Sequence, residues 1–171
     1  RNAAGVIAVM QAISNHSLDD IITAINTYPG SSRRFEELAP NIYSDYAHTP
    51  EEVAATLQLA REYGKPIVVA YEPLTNRRQH YMLNQYKDIF KNLEKLYWLP
   101  SYLAREDPNQ RVIAPAEFVA TIDESAHAAP AQKDSSLKSE LQFAARNGAI
   151  VLLLAGGGGS SLDEWARSNF S

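Results

Sequence analysis

The sequence predicts a three-layer α/β domain in which a mostly parallel sheet is flanked by helices. Three observations carry this. Ile67-Val68-Val69-Ala70-Tyr71 and Ile150-Val151-Leu152-Leu153-Leu154 are short apolar runs without alternation, the pattern of strands buried on both faces. From residue 41 onward, stretches with helical spacing separate the strand candidates, as crossovers between parallel strands require. Glycine and proline mark the junctions, as at Gly64-Lys65-Pro66 and at Gly148, where a helix must stop before the chain can extend again.

Val6, Ile7, Val9, Met10 and Ile13 make 3–13 a helix. Ser17-Leu18-Asp19-Asp20 opens a second, with Ile21, Ile22 and Ile25 on its buried side and Tyr28-Pro29-Gly30 ending it. Asn41-Ile42-Tyr43 reads as a strand. Thr49 as N-cap, Pro50 at N1 and Glu52 at N3 then form a capping box. It starts a helix over 50–63 with Val53, Leu57 and Ala60 on one face. After the Ile67 run, Leu83, Tyr86, Phe90 and Leu93 fall on one helical face. Residues 96–99 are a strand candidate, 105–110 a polar loop, 116–122 a short helix and 127–133 a linker. A helix over 136–147 closes at Gly148, and Ser161-Leu162-Asp163-Glu164 is a second capping box that opens the last helix. One strand of the sheet is expected to run antiparallel.

A chain of 171 residues can bury a sizeable single core. Hydrophobic residues at 45% and charged residues at 21% are ordinary globular composition. The net charge is −4, and Arg33-Arg34 and Arg77-Arg78 are isolated pairs rather than a basic stripe, so no nucleic-acid partner is expected. The absence of cysteine excludes disulfides, thiolate metal sites and a cysteine nucleophile, and suits the reducing cytoplasm, the expected location. The longest apolar run, 149–155, is too short to span a bilayer, and no membrane partner is expected. The chain begins at Arg1 and enters helical sequence at once, so it is expected to be a fragment of a longer protein.

Asp45 and His48 lie at the turn between the Ile42 strand and the Pro50 helix, which is where open α/β sheets bind ligands. The alternative is an ordinary loop whose polar residues satisfy only backbone groups. The run 156–159 is all glycine. Only a short helix follows it, so no βαβ unit completes a dinucleotide fingerprint. Its N–H groups, with the start of the last helix, can bind an anion; the alternative is a flexible loop.

Three stretches in order, Gly30-Ser31-Ser32-Arg33-Arg34-Phe35-Glu36, Asp45-Tyr46-Ala47-His48-Thr49-Pro50 and Tyr71-Glu72-Pro73 leading to Arg78, resemble the C-terminal domain of the Mur ligases. Tyr102-Leu103-Ala104-Arg105-Glu106 and the glycine run also fall where that family has comparable segments. Within the family the pattern is nearest the UDP-N-acetylmuramate–L-alanine ligases and the related murein-peptide recycling ligases. The departures are Glu72 for a glutamine, Leu74 and Thr75 for a histidine and an arginine, Thr49 for a second histidine, and four glycines for Gly-Ala-Gly-Asp.

The resemblance implies a Rossmann-like fold over 1–171, a single domain of which 1–15 would be the end of the preceding ATP-binding domain. It implies amide-bond formation in peptidoglycan precursor synthesis: ATP converts a carboxylate to an acyl phosphate, which an incoming amine attacks. ATP and Mg2+ would be held mainly by the central domain, since this chain has no G-x-x-x-x-G-K-[ST] loop. No metal ligand is assigned here, and the isolated domain is expected to be inactive. The implied partners are UDP-N-acetylmuramate, L-alanine and the protein's own N-terminal and central domains.

By the same resemblance Arg34 closes over the nucleotide phosphates, with an exposed loop arginine as the alternative, and Arg33 is read as solvent-facing. Asp45 holds the ribose, or else bonds its own turn. Asn2 falls where the central domain's asparagine-bearing helix contributes to the nucleotide site. His48 and Arg78 are the catalytic candidates. His48 contacts the incoming amino acid or orders water, or only braces the helix entrance. Arg78 pairs with the amino-acid carboxylate, with Arg77 competing and a solvated arginine as the alternative. Gly157, Gly158 and Ser160 would bind the same carboxylate. The other functional readings are a recycling ligase that adds a peptide, and a non-catalytic binding domain, for which Leu74 and Thr75 speak.

Overall fold

The computed structural model describes residues 2–28 and 30–170, without the Asn2 side chain. The chain divides into two compact units, Arg1–Ser31 and Ser32–Ser171. The first is a pair of helices, α1 (Asn2–Ile13) and α2 (Leu18–Asn26), in contact with each other. Ser17 caps α2 in a capping box with Asp20. Ile21 is buried, whereas Ile22, one hundred degrees round the helix, is exposed. Pro29, part of the expected stop signal, lies outside the described residues.

The second unit holds β1 (Glu36–Ala39), β2 (Ile42–Asp45), α3 (Pro50–Arg61), β3 (Ile67–Glu72), α4 (Asn76–Met82), β4 (Lys95–Trp98), α5 (Pro115–Val119), β5 (Ala128–Pro130), α6 (Ser135–Arg146), β6 (Ile150–Ala155) and α7 (Leu162–Phe170). The sheet order is β1-β2-β6-β3-β4-β5. Among the described residues only β1 pairs antiparallel, as the one expected antiparallel strand.

The central strands are buried on both faces, as their unbroken apolar runs predict. Val69, Tyr71, Leu152 and Leu154 pack with Val53 and Leu57 of α3 and Phe118 of α5. The alternate residues Val68, Ala70, Val151 and Leu153 pack with Leu137 and Leu141 of α6 and with Leu162 and Ala166 of α7. The period-two alternation of side chains across a strand assigns each residue to its layer. Every polar group of β3 and β6 that can meet a ligand is thereby confined to the strand ends.

Two segments differ from expectation. The helix expected over 83–93 is instead α4 followed by a 3-10 turn, Leu83–Gln85, and further turns. Tyr86 and Phe90 are fully buried beside Tyr71 and Trp98. Their spacing reports burial of successive turns, not a continuous helix. The segment 127–133 is not a plain linker: it contains β5, whose three residues are too few to show a pattern. Among the described residues no helix is long and apolar enough to cross a membrane.

Leu152 is fully buried in the middle of β6, so Leu152→Ala is expected to lower the unfolding free energy by about 2–5 kcal/mol. Phe143→Ala, at a side chain 69% exposed, is expected to stay within about 0.5 kcal/mol of the parent. Urea denaturation of both variants checks the contrast.

Candidate functional site

Strands β3 and β6 are neighbours whose following segments leave in opposite directions. After β3 the chain runs through α4 to β4, whereas after β6 it turns into α7, which packs on β6, β1 and β2. Such a reversal opens a crevice at the carboxyl ends of the strands. A recess of about 670 Å³ lies there, walled by Tyr46 after β2, Leu74 and Arg78 after β3, Arg105 after β4, and Gly156 after β6. Arg77 and Thr75 share it. Arg77, Arg78 and Arg105 are exposed, and among the described residues none pairs with a carboxylate.

The helix after β3 starts under local constraint. Thr75 has φ 56 and ψ 129, a conformation that costs a β-branched residue energy. It is held by its N–H donating to the Tyr102 carbonyl at 3.0 Å. Glu106 accepts from the backbone N–H groups of Asn76, Arg77 and Ala104 at 3.2, 3.0 and 3.0 Å. It thus supplies the cap that α4 lacks in its own sequence.

On the β2 side the tandem arginines divide. Arg33, expected to face solvent, is an anchor. It donates through Nη2 to the carbonyls of Ala155 at 2.7 Å and Gly157 at 3.0 Å. Its Nε lies 3.3 Å from Asp163 Oδ2 as an ion pair not aligned for a hydrogen bond. Its guanidinium sits 4.5 Å from the Tyr46 ring centroid, within cation–π range. Partners 122 to 130 residues away leave no local signal of this role. Arg34 is exposed, 5.3 Å from the same ring, and free of ion pairs among the described residues.

Asp45 is 8% exposed. It accepts from Phe35 N–H and Ala47 N–H at 2.8 Å each and from Thr56 Oγ1 at 3.2 Å. Three of its roughly four acceptor positions are thus filled, one by its own turn and the other two by Phe35, just before β1, and by Thr56 of α3. The Thr49–Glu52 capping box forms as expected. Glu52 also accepts from His48 N–H at 3.0 Å. His48 Nδ1 lies 2.9 Å from the Tyr46 carbonyl and 3.0 Å from Glu52 Oε2. Both are acceptors, so this network assigns the proton to Nδ1. Burial raises the Glu52 carboxyl, but the His48 N–H and ring, the Thr49 N–H and the Arg34 charge together hold it below its ordinary pKa. Tyr71 donates to the His48 carbonyl at 3.2 Å. Burial pushes its hydroxyl well above the usual pKa and keeps it a neutral donor.

The glycine turn is shaped by contact. A Cβ on Gly156 would stand 2.7 Å from His48 Cβ and Cγ, and one on Gly157 would stand 2.7 Å from the Tyr102 ring. Gly158 and Ser160 are exposed. The expected capping box at Ser161 does not form: Ser161 Oγ is buried without a partner. Instead Glu72 accepts from Leu162 N–H at 2.9 Å, and Glu164 accepts from Ser160 N–H at 2.7 Å. These carboxylates already occupy donors at the start of α7 that were expected to bind an anion. Lys133 and Arg167 lie outside every motif, and the roles of Glu72, Glu106 and Asp163 within theirs appear only when distant segments meet. The Asn2 side chain lies outside the described residues.

Residues 33–157 match the family model described as the Mur ligase, glutamate ligase domain. The chain belongs to this Mur ligase domain family. Similar curated proteins include the UDP-N-acetylmuramate–L-alanine ligase of Lactobacillus helveticus (strain DPC 4571), 34% identical over 113 residues, covering 63% of this chain and 26% of that protein. That of Acetivibrio thermocellus (strain ATCC 27405) is 34% identical over 110 residues, covering 61% and 23%. The match thus spans about a quarter of these relatives. A solved domain from Haemophilus ducreyi 35000HP, described as belonging to a UDP-N-acetylmuramate:L-alanyl-gamma-D-glutamyl-meso-diaminopimelate ligase, has a TM-score of 0.50 at 18% identity. It covers 81% of this chain and 96% of that one, and shares the fold. Among the described residues no group of three or more His, Asp or Glu side chains is arranged to hold a metal.

Two outcomes follow for the domain. Gly156→Ala is expected to displace the His48 ring, shifting its NMR resonances, and to cost about 1–3 kcal/mol of stability by overpacking. Glu36 accepts from Arg167 and from Arg33 N–H, which hold its carboxyl at about 2 rather than 4.5. A carboxyl depressed in the fold stabilises above its unfolded pKa. That contribution is therefore lost as pH falls from about 4.5 to about 2. Urea midpoints at pH 7 and pH 3 should converge less in the parent than in Arg167→Gln, which removes the acid-sensitive part.

Proposed function

We propose that this chain is the C-terminal domain of a UDP-N-acetylmuramate–L-alanine ligase, and that it binds the incoming amine substrate in the crevice between β3 and β6. The observation that carries the reading is the set of arginines, Arg77, Arg78 and Arg105, that pair with no carboxylate among the described residues and stand around one recess at the point where the strand order reverses. The curated relatives support the choice of ligase. In the reaction ATP transfers its terminal phosphoryl group to a substrate carboxylate. The amine then attacks the acyl phosphate carbon, giving an amide, ADP and phosphate.

Within that scheme Arg78 pairs with the carboxylate of the amine substrate, as a guanidinium fork suits a carboxylate. Arg34, unpaired on the same rim, reaches the nucleotide phosphates when the domains close. Closure is needed because a site shared between domains must open to exchange ligands. His48 is held through Nδ1, which leaves Nε2 as the ring atom that can meet substrate. Asp45 acts one step back: by fixing Phe35 and Ala47 it sets the turn that carries Arg34. ATP supplies the activation and is held mainly outside this chain, as is Mg2+.

The three arginines also favour a second reading. L-alanine offers one carboxylate, and a recess of about 670 Å³ with three free guanidinium groups suits an amine substrate with several, such as the peptide of a recycling ligase.

The full-length protein should release phosphate from ATP in the presence of UDP-N-acetylmuramate, magnesium and the amine substrate. Release with L-alanine supports the first reading and release only with an acidic peptide the second; no release from folded protein overturns both. Arg78→Ala should raise KM for the amine substrate roughly 10- to 150-fold, the equivalent of a charged hydrogen bond of about 1.5–3 kcal/mol.

A further inference from the structure

The carboxylate of Glu72, at the end of β3, is 1% exposed. One oxygen accepts from Lys133 Nζ at 2.6 Å, and the other from Leu162 N–H, the first residue of α7, at 2.9 Å. Lys133 also donates to the Ser160 carbonyl at 2.6 Å. Three segments distant in sequence meet here: the end of β3, the connection from β5 to α6, and the turn from β6 to α7. The Lys133 segment is itself fixed to the sheet, because Ala131 N–H donates to the Trp98 carbonyl of β4 at 2.9 Å.

We infer that Glu72 and Lys133 form a charge-paired latch that fixes the glycine turn against the sheet, making both positioning residues for the amine-substrate site. The inference rests on the reading above that this turn borders the substrate. Other contacts on the turn do not do this job. Glu164 holds Ser160 N–H, but it belongs to α7 and moves with the turn. Arg33 grips the turn's beginning at Ala155 and Gly157, and leaves its end to Lys133.

The pairing follows from what a carboxylate lacks. A glutamine at position 72 would offer an acceptor for Leu162 N–H and a donor for the Ser160 carbonyl from one neutral side chain. Glutamate has acceptors only, and its buried charge needs a partner. The Lys133 ammonium, with three donors, meets both needs at once. The carboxylate also lies at the positive end of the α7 dipole, which favours the charge.

The test is a variant set in the full-length protein: Lys133→Met, Glu72→Gln, and the two together. Amide exchange of 157–162 reports the turn, and steady-state kinetics with the amine substrate that supports phosphate release reports the site. Lys133→Met is expected to speed exchange and to raise KM for the amine by about tenfold each, with kcat changed less than about twofold. The double variant should recover both to within about threefold of the parent, because the glutamine then supplies the missing donor and no buried charge is left unpaired. If Lys133→Met does not fold, a folded double variant with parental exchange and KM supports the latch equally. Unchanged exchange in Lys133→Met, or a folded double variant no better than the single, overturns it. Faster exchange with an unchanged KM keeps the latch but overturns the placement of the substrate on the turn.

Discussion

The pairing of β3 with β6 is the constraint on which the rest depends. All six residues of each strand are buried, with a helical layer on either side. Such strands cannot carry polar side chains along their length without leaving them unsatisfied. The exception is Glu72, the last residue of β3, and it is charge-paired and hydrogen-bonded on both oxygens. Polarity is thus admitted only where the strands end, and there the backbone turns, the arginines and the helix starts crowd together.

That crowding is held under backbone strain. Arg33, Phe35, Thr75, Arg105 and Ser160 all have positive φ without being glycine, a conformation worth of order 1–3 kcal/mol of strain each in an unfavourable region. Asn41, Asn92 and His127 share the sign, but Asn and His tolerate it better. At the rim the strain is over-determined by specific partners: Glu36 and Tyr46 on Arg33, Asp45 on Phe35, Tyr102 on Thr75, Glu164 and Lys133 on Ser160. The result is a set of loops fixed before any ligand arrives. Fixed loops reduce the ordering cost of binding.

The architecture was legible because it rests on local patterns. The apolar runs at 67 and 150 gave two central strands, and the Thr49 capping box gave the helix that follows the Asp45 turn. The recess was half legible: Arg78, His48 and Arg105 all sit in stretches with family character, but only the first two carried a role in the sequence, and Arg105 gains its place once the end of β4 is brought beside β3. What stayed hidden depends on long-range meetings. Arg33 reads as one of two adjacent surface arginines until Ala155 and Gly157 are brought to it. Lys133 reads as one polar residue in a linker until Glu72 is buried beneath it. Tyr86 and Phe90 misled in the opposite sense, since burial through successive turns mimics a helical face. Ser161 misled because Glu164, which a capping box would turn back onto the Ser161 N–H, accepts from the Ser160 N–H instead.

The two margins of the sheet have a consequence for the molecule among its neighbours. At one side β1 is four residues long with an irregular register between Glu37 and Ala39. At the other, β5 is three residues long and ends in Pro130, which has no N–H to donate. Exposed strand margins recruit other chains and seed fibrous aggregates, and brevity, bulges and proline are what discourage this. Neither margin here offers a template long enough to be copied. A sheet with so apolar a centre thus presents, along its described margins, no long regular ladder for another chain to extend.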